Sequence, residues 1–137
     1  MLIKLERRND AYHFEASNEQ GNQVNIDASP AIGGQNLGAR PMELLLMGLG
    51  GCSAIDVISI LKKQRIEVAD FKIEINGERE PDAIPSLFKD IHIKFIVKGP
   101  VDSVKVEKAI VLSMDKYCSV AKTLEKTAKI TWSLDVI

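Results

Sequence analysis

The run Pro41 to Arg65, PMELLLMGLGGCSAIDVISILKKQR, constrains the fold more than any other stretch of the chain. Its spacing predicts a helix. Leu44 to Ile55 carry no charge, while Glu43 lies near the start and Lys62, Lys63 and Arg65 near the end. That polarity complements the helix dipole, and Pro41 suits a first-turn position because its missing N–H is not needed there. A helix apolar on every side has to be covered on every side. Gly48, Gly50 and Gly51 interrupt the run, which argues against a membrane span. Each glycine inside a helix costs up to about 1 kcal/mol relative to alanine. Three together imply close approach by another backbone, and Cys52 stands beside them.

The rest of the chain reads as short alternating strands around this helix. Residues 2–8 and 11–17 alternate apolar and polar, with a turn at Asn9-Asp10. A further turn at 18–22 leads to a third strand at 23–28, completing an antiparallel meander. SPAIGGQNLGAR (29–40) has no periodicity and is a loop; its Gly33-Gly34 pair matches no phosphate-loop spacing. Beyond the helix, strands are expected at 70–80 and 91–97, broken by PDAIPS at 81–86. Asp102 or Ser103 can cap a second helix running to about Tyr117. Cys118 follows, then a helical turn over SVAKTLEK and a closing strand with Ile130, Trp132, Leu134 and Val136.

The order βββ-α-ββ-α-α-β, without repeats or linkers, predicts one α+β domain over 1–137. Antiparallel sheets would wrap the buried central helix. One sheet can cover only one side of that helix. A second copy of the chain, with the glycine stripe at or near a two-fold contact, is the economical cover for the other.

At 137 residues the chain can bury a core without disulfides. A net charge of −1, with no basic run, gives no case for nucleic acid or an anionic membrane. The N-terminus MLIKLERRND lacks a signal-peptide pattern, so a cytoplasmic location is expected. Two cysteines and two histidines, His13 and His92, without close ligand spacing, predict no metal site.

The cysteine segments carry a family resemblance. PMELLLMGLGGCSAIDV resembles the first-cysteine helix of the OsmC/Ohr family, the osmotically inducible and organic hydroperoxide resistance proteins. EKAIVLSMDKYCSVAKTLEKTAKITWSLDV resembles the family's second-cysteine region and final strand. The resemblance covers essentially the whole chain and implies an OsmC-like fold as an intertwined homodimer. It also implies an activity: Cys52 as the peroxidatic thiolate that attacks an organic hydroperoxide, and Cys118 as the resolving cysteine that closes a disulfide. No bound cofactor is implied, only an external dithiol reductant.

Family peroxidases polarise the first cysteine with an Arg–Glu pair whose glutamate directly follows the proline. Here Met42 follows Pro41 and Glu43 comes one residue later. Nine residues separate Glu43 from Cys52, about 900° of helical rotation, which places them on opposite faces. Glu43 is therefore either a catalytic partner or a first-turn dipole partner. Arg8 is the nearest match to the family arginine, with Arg7 beside it. The pattern is nearer the uncharacterised branch of the family than its proven peroxidases.

A thiol attacks peroxide only as thiolate, so this chemistry needs a cation or hydrogen-bond donors near the sulfur. Asp56, at i+4 from Cys52, shares its face and is an adverse neighbour unless an arginine intervenes. His13 and His92 read as surface residues and Trp132 as core. Met42 and Met47 fill packing gaps or line an apolar pocket. Two functions stand: a thiol peroxidase for apolar organic hydroperoxides, or a non-enzymatic module that binds an apolar ligand or partner, or senses redox state.

Overall fold

A computed structural model describes residues 1–137. The chain forms two compact units, residues 1–45 and 46–137. The first unit holds strands β1 (Lys4–Arg7), β2 (Phe14–Ser17) and β3 (Gln23–Ile26). They pair antiparallel in sequence order, with Leu5 opposite Ala16 and Ala16 opposite Val24. This is the expected meander, with shorter strands.

The glycine-rich loop that follows is built around a carboxylate. Asp27 is buried, and its side chain accepts the backbone N–H groups of Ala28, Gln35 and Leu37 at 2.8, 3.1 and 3.1 Å. Burial pushes this carboxyl up. The amides of Leu37, Gln35 and Ala28, and then the charge of His13, outweigh it and hold the group below its ordinary range. A Cβ on Gly34 would fall 1.8 Å from the carbonyl oxygen of Ala28, so only glycine fits where the loop folds back. The loop's amides thus serve an internal anion.

Helix α1 (Pro41–Lys63) begins in the first unit and runs into the second. Its start is closed by Glu43, whose Oε1 accepts the N–H of Arg40 at 2.8 Å. By length and composition α1 could cross a membrane. Its burial is instead one-sided: Leu49, Ser53, Val57 and Leu61, at helical spacing, are enclosed. The buried Ser53 returns its hydroxyl to the Leu49 carbonyl at 3.0 Å, so no polar group is stranded there.

The second unit carries β4 (Asp70–Arg79), β5 (Phe88–Lys98) and β6 (Lys129–Val136) in the order β4-β5-β6. Ile91, Ile93, Phe95 and Val97 of the central strand are buried at period two. A register shift at Glu78/Arg79 lets Phe88 join them out of phase. Helix α1 lies on this sheet: a Cβ on Gly50 would come 2.8 Å from Ile75 Cδ1.

Two expectations change in detail. The sheets were expected to be antiparallel, but β6 pairs parallel to β5, with Trp132 opposite Ile93. Parallel neighbours need a long crossover, and the helical segment between β5 and β6 supplies it. The second helix was expected to run to Tyr117. The α-helical part, α2 (Ser103–Leu112), is capped by Asp102 accepting Val104 N–H at 2.9 Å and gives way to a π turn at Ser113–Tyr117. Helix α3 (Ser119–Leu124) follows.

Candidate functional site

The π turn controls where Cys118 sits. The Cys118 N–H donates to the Ser113 carbonyl at 2.7 Å, a five-residue step that widens the turn, as often happens at functional sites. Cys118 then serves as the N-cap of α3, its Sγ accepting the Ala121 N–H at 3.4 Å. The residue is wholly buried.

Across from it, α1 presents Cys52, half-buried, and Asp56 one turn later. Cys52 Sγ, Cys118 Sγ and a carboxylate oxygen of Asp56 all lie within 4.8 Å of one another. By distance alone these three groups could also hold a metal ion. The carboxylate is fixed by the Ser113 hydroxyl, which donates to Asp56 Oδ2 at 2.9 Å. Ser113 therefore holds the carboxylate through its side chain and Cys118 through its backbone.

Burial pushes the Cys118 thiol up to about 11. The Cys52 thiol and the Asp56 charge push in the same direction, against the Ala121 amide, which favours the thiolate. At neutral pH Cys118 is a thiol.

A cavity of about 390 Å³ opens along the same ridge of α1. It is lined by Asp56, Ser59, Ile60, Lys63 and Gln64 of α1 together with Leu112 and Tyr117. Asp56, one of its lining residues, is one helical turn from Cys52.

The other candidates have partners of their own. Arg8, in the first unit, pairs with Glu15 at 2.5 Å and Glu6 at 3.3 Å. Arg7 Nη2 donates to the Asp10 and Ala11 carbonyls, closing the β1–β2 turn. Glu43 is engaged at the helix start, which matches its reading as a first-turn partner. His13 Nε2 lies 2.9 Å from Asn25 Oδ1, and exposed His92 lies between Thr131 and Ser133. Trp132 is half-buried. Sequence reasoning singled out Asp56 only as an adverse neighbour and missed Ser113 altogether. Fifty-seven residues separate that pair, and no periodicity marks the link.

Residues 33–133 match the family described as OsmC-like protein. Protein YhfA of Escherichia coli (strain K12) is 42% identical over 125 residues, 90% of each chain. The chain belongs to the OsmC-like family. Among solved structures, a hypothetical protein from Aquifex aeolicus VF5 superposes with a TM-score of 0.81 at 35% identity, over 99% of this chain and 96% of that one. The organic hydroperoxide resistance protein OhrB of Bacillus subtilis shares the fold, with a TM-score of 0.65 at 21% identity over 98% of both chains.

Proposed function

We propose that this OsmC-like protein is a two-cysteine thiol peroxidase for small apolar organic hydroperoxides. The observation that carries this reading is the meeting of Cys52 and Cys118: two thiols from distant segments, with sulfurs no more than 4.8 Å apart. A fold shared with a protein named for organic hydroperoxide resistance adds support.

In the reaction, the Cys52 thiolate attacks the terminal oxygen of R–O–O–H. The O–O bond breaks, the hydroxyl stays on sulfur as a sulfenic acid, and the alkoxide takes a proton and leaves as the alcohol. Cys118 sulfur then displaces that hydroxyl as water and forms the disulfide, which an external dithiol reduces. The substrate's alkyl group sits against Ile60, Leu112 and Tyr117 of the cavity that Asp56 also lines. The working unit is a homodimer in the cytoplasm, its second copy covering the open face of α1.

Purified protein, mixed with cumene hydroperoxide and dihydrolipoamide, should consume peroxide over many turnovers. Cys52→Ser should abolish turnover. Cys118→Ser should stop recycling after one equivalent. A wild-type protein that leaves the peroxide untouched contradicts the proposal.

One observation favours a second reading. Within their own unit Arg8 is committed to Glu15 and Glu43 to the Arg40 amide, and these are the chain's nearest matches to the Arg–Glu pair of family peroxidases. On this reading the thiol pair is a redox sensor or part of a ligand-binding module. Disulfide formation without dithiol-driven turnover would favour it.

A further inference from the structure

We propose that Asp56 is the proton-transfer group of the resolving step, taking the proton from Cys118 Sγ as that sulfur attacks Cys52. The inference rests on the two-cysteine reading above and gives a task to the one charged group in the cluster.

Cys118 is fully buried, so solvent has no direct access to its proton. Its sulfur can attack only as that proton leaves, which requires an acceptor inside the protein. Asp56 has a carboxylate oxygen within 4.8 Å of both sulfurs. One bridging water, or a small closure, completes the path; catalytic hydrogen bonds are commonly long before the reacting complex forms. The carboxylate is also well positioned. Its Oδ2 accepts the Ser113 hydroxyl, while the Ser113 carbonyl accepts the Cys118 N–H, so one residue fixes the base and the thiol together. Being at i+4, Asp56 shares a rigid helical turn with Cys52.

The adverse charge then becomes useful. A carboxylate beside a forming thiolate repels it, and transfer of the proton removes that repulsion as the negative charge develops on sulfur. The backbone N–H of Ala121, already donated to Cys118 Sγ, favours the charge at the same moment.

The step balances without further reagents once a hydroperoxide has oxidised Cys52. The Cys118 S–H bond breaks and its proton goes to Asp56. The sulfur's electron pair forms the S–S bond, and the S–O bond on Cys52 breaks. The departing hydroxide takes the proton back from Asp56 and leaves as water. Asp56 is restored, acting as base and then as acid. A lone structural carboxylate, fixed by Ser113 merely to seat the π turn, would have no part in this transfer.

The test separates this inference from the peroxidase reading because it needs no hydroperoxide. One equivalent of 5,5′-dithiobis(2-nitrobenzoate) converts the accessible Cys52 to a mixed disulfide with release of one thionitrobenzoate. Attack by Cys118 releases a second, followed by absorbance. Asp56→Asn, which keeps an acceptor for Ser113, should slow the second release about a hundredfold. Adding formate to Asp56→Gly should restore much of the rate, a rescue that a purely structural role does not predict. Second release at the wild-type rate in Asp56→Asn overturns the proposal, as does slow release in Asp56→Gly that formate leaves unchanged. Should Asp56→Gly fail to fold, Asp56→Asn alone decides. Hydroperoxide consumption by the wild type, measured separately, decides the peroxidase reading.

Discussion

The two sides of α1 are built from similar residues and meet opposite surroundings. Leu49, Ser53, Val57 and Leu61 are enclosed, and Gly50 is pressed against Ile75 of β4. On the opposite side Met47 and Ile55 are 58% and 72% exposed, and a Cβ on Gly48 or Gly51 would meet nothing within 4 Å. One side is finished by the chain itself. The other is an apolar stripe of the kind that marks an interaction site in water. Hydrophobicity along a helix therefore tells that a face must be covered, without telling what covers it. The glycines sharpen the lesson, since the apparent stripe divides: Gly50 serves the sheet, while Gly48 and Gly51 serve the open side.

Substitutions on the two sides should part widely. Leu49→Ala empties space in a packed core and should cost about 3 kcal/mol in urea unfolding. Ile55→Ala should change the stability of the single chain by less than about 0.5 kcal/mol. Equal losses at the two positions would mean that both sides of α1 are equally enclosed in the single chain.

A charge on the open side tests what covers it. If a second copy lies there across a two-fold axis, Met47→Glu brings two like charges together. Self-association measured by sedimentation should weaken by at least about a hundredfold. Unchanged association would show that the second copy binds elsewhere.

The glycines give a smaller and subtler contrast. In the single chain Gly51→Ala meets nothing and should gain up to about 1 kcal/mol of helix stability. Gly50→Ala gains the same propensity but must displace Ile75 Cδ1, and the overpacking, about 1–3 kcal/mol, should cancel or reverse the gain.

A last contrast concerns pH at the buried thiol. Cys118 ionises at about 11 in the folded chain, above its value of 9.0 when exposed. The unfolded chain therefore releases this proton first as pH rises. The contribution is intact below about pH 9 and is lost between about 9 and 11. Wild type should lose more stability across that window than Cys118→Ser, compared by thermal unfolding at matched pH. Parallel profiles would show that burial of the thiol has been overstated.

Much of this molecule was legible beforehand because period and punctuation are local. The meander, α1 and its polarity, the strand at 70–80 and the closing strand all follow from alternation, capping residues and turn residues. Two features were not local. The parallel seating of β6 depends on how the crossover from β5 returns to the sheet, which no strand pattern encodes. The π turn at Ser113–Tyr117 reads in sequence as one more helical turn, because its neighbours have helical periodicity and no residue type announces the wider step. The same holds for the site. Cys52 and Cys118 stood out as the only cysteines, and Asp56 followed from helical spacing. Ser113 did not, because its bond to Asp56 exists only once α2 and the π turn have folded against α1.

Non-reducing peptide mapping after one equivalent of cumene hydroperoxide would show whether Cys52 pairs with Cys118. A single linked peptide pair joining Cys52 to Cys118 within one chain is expected, with both thiols lost and the peroxide converted to its alcohol. Two free thiols per chain beside unconsumed peroxide would contradict that pairing.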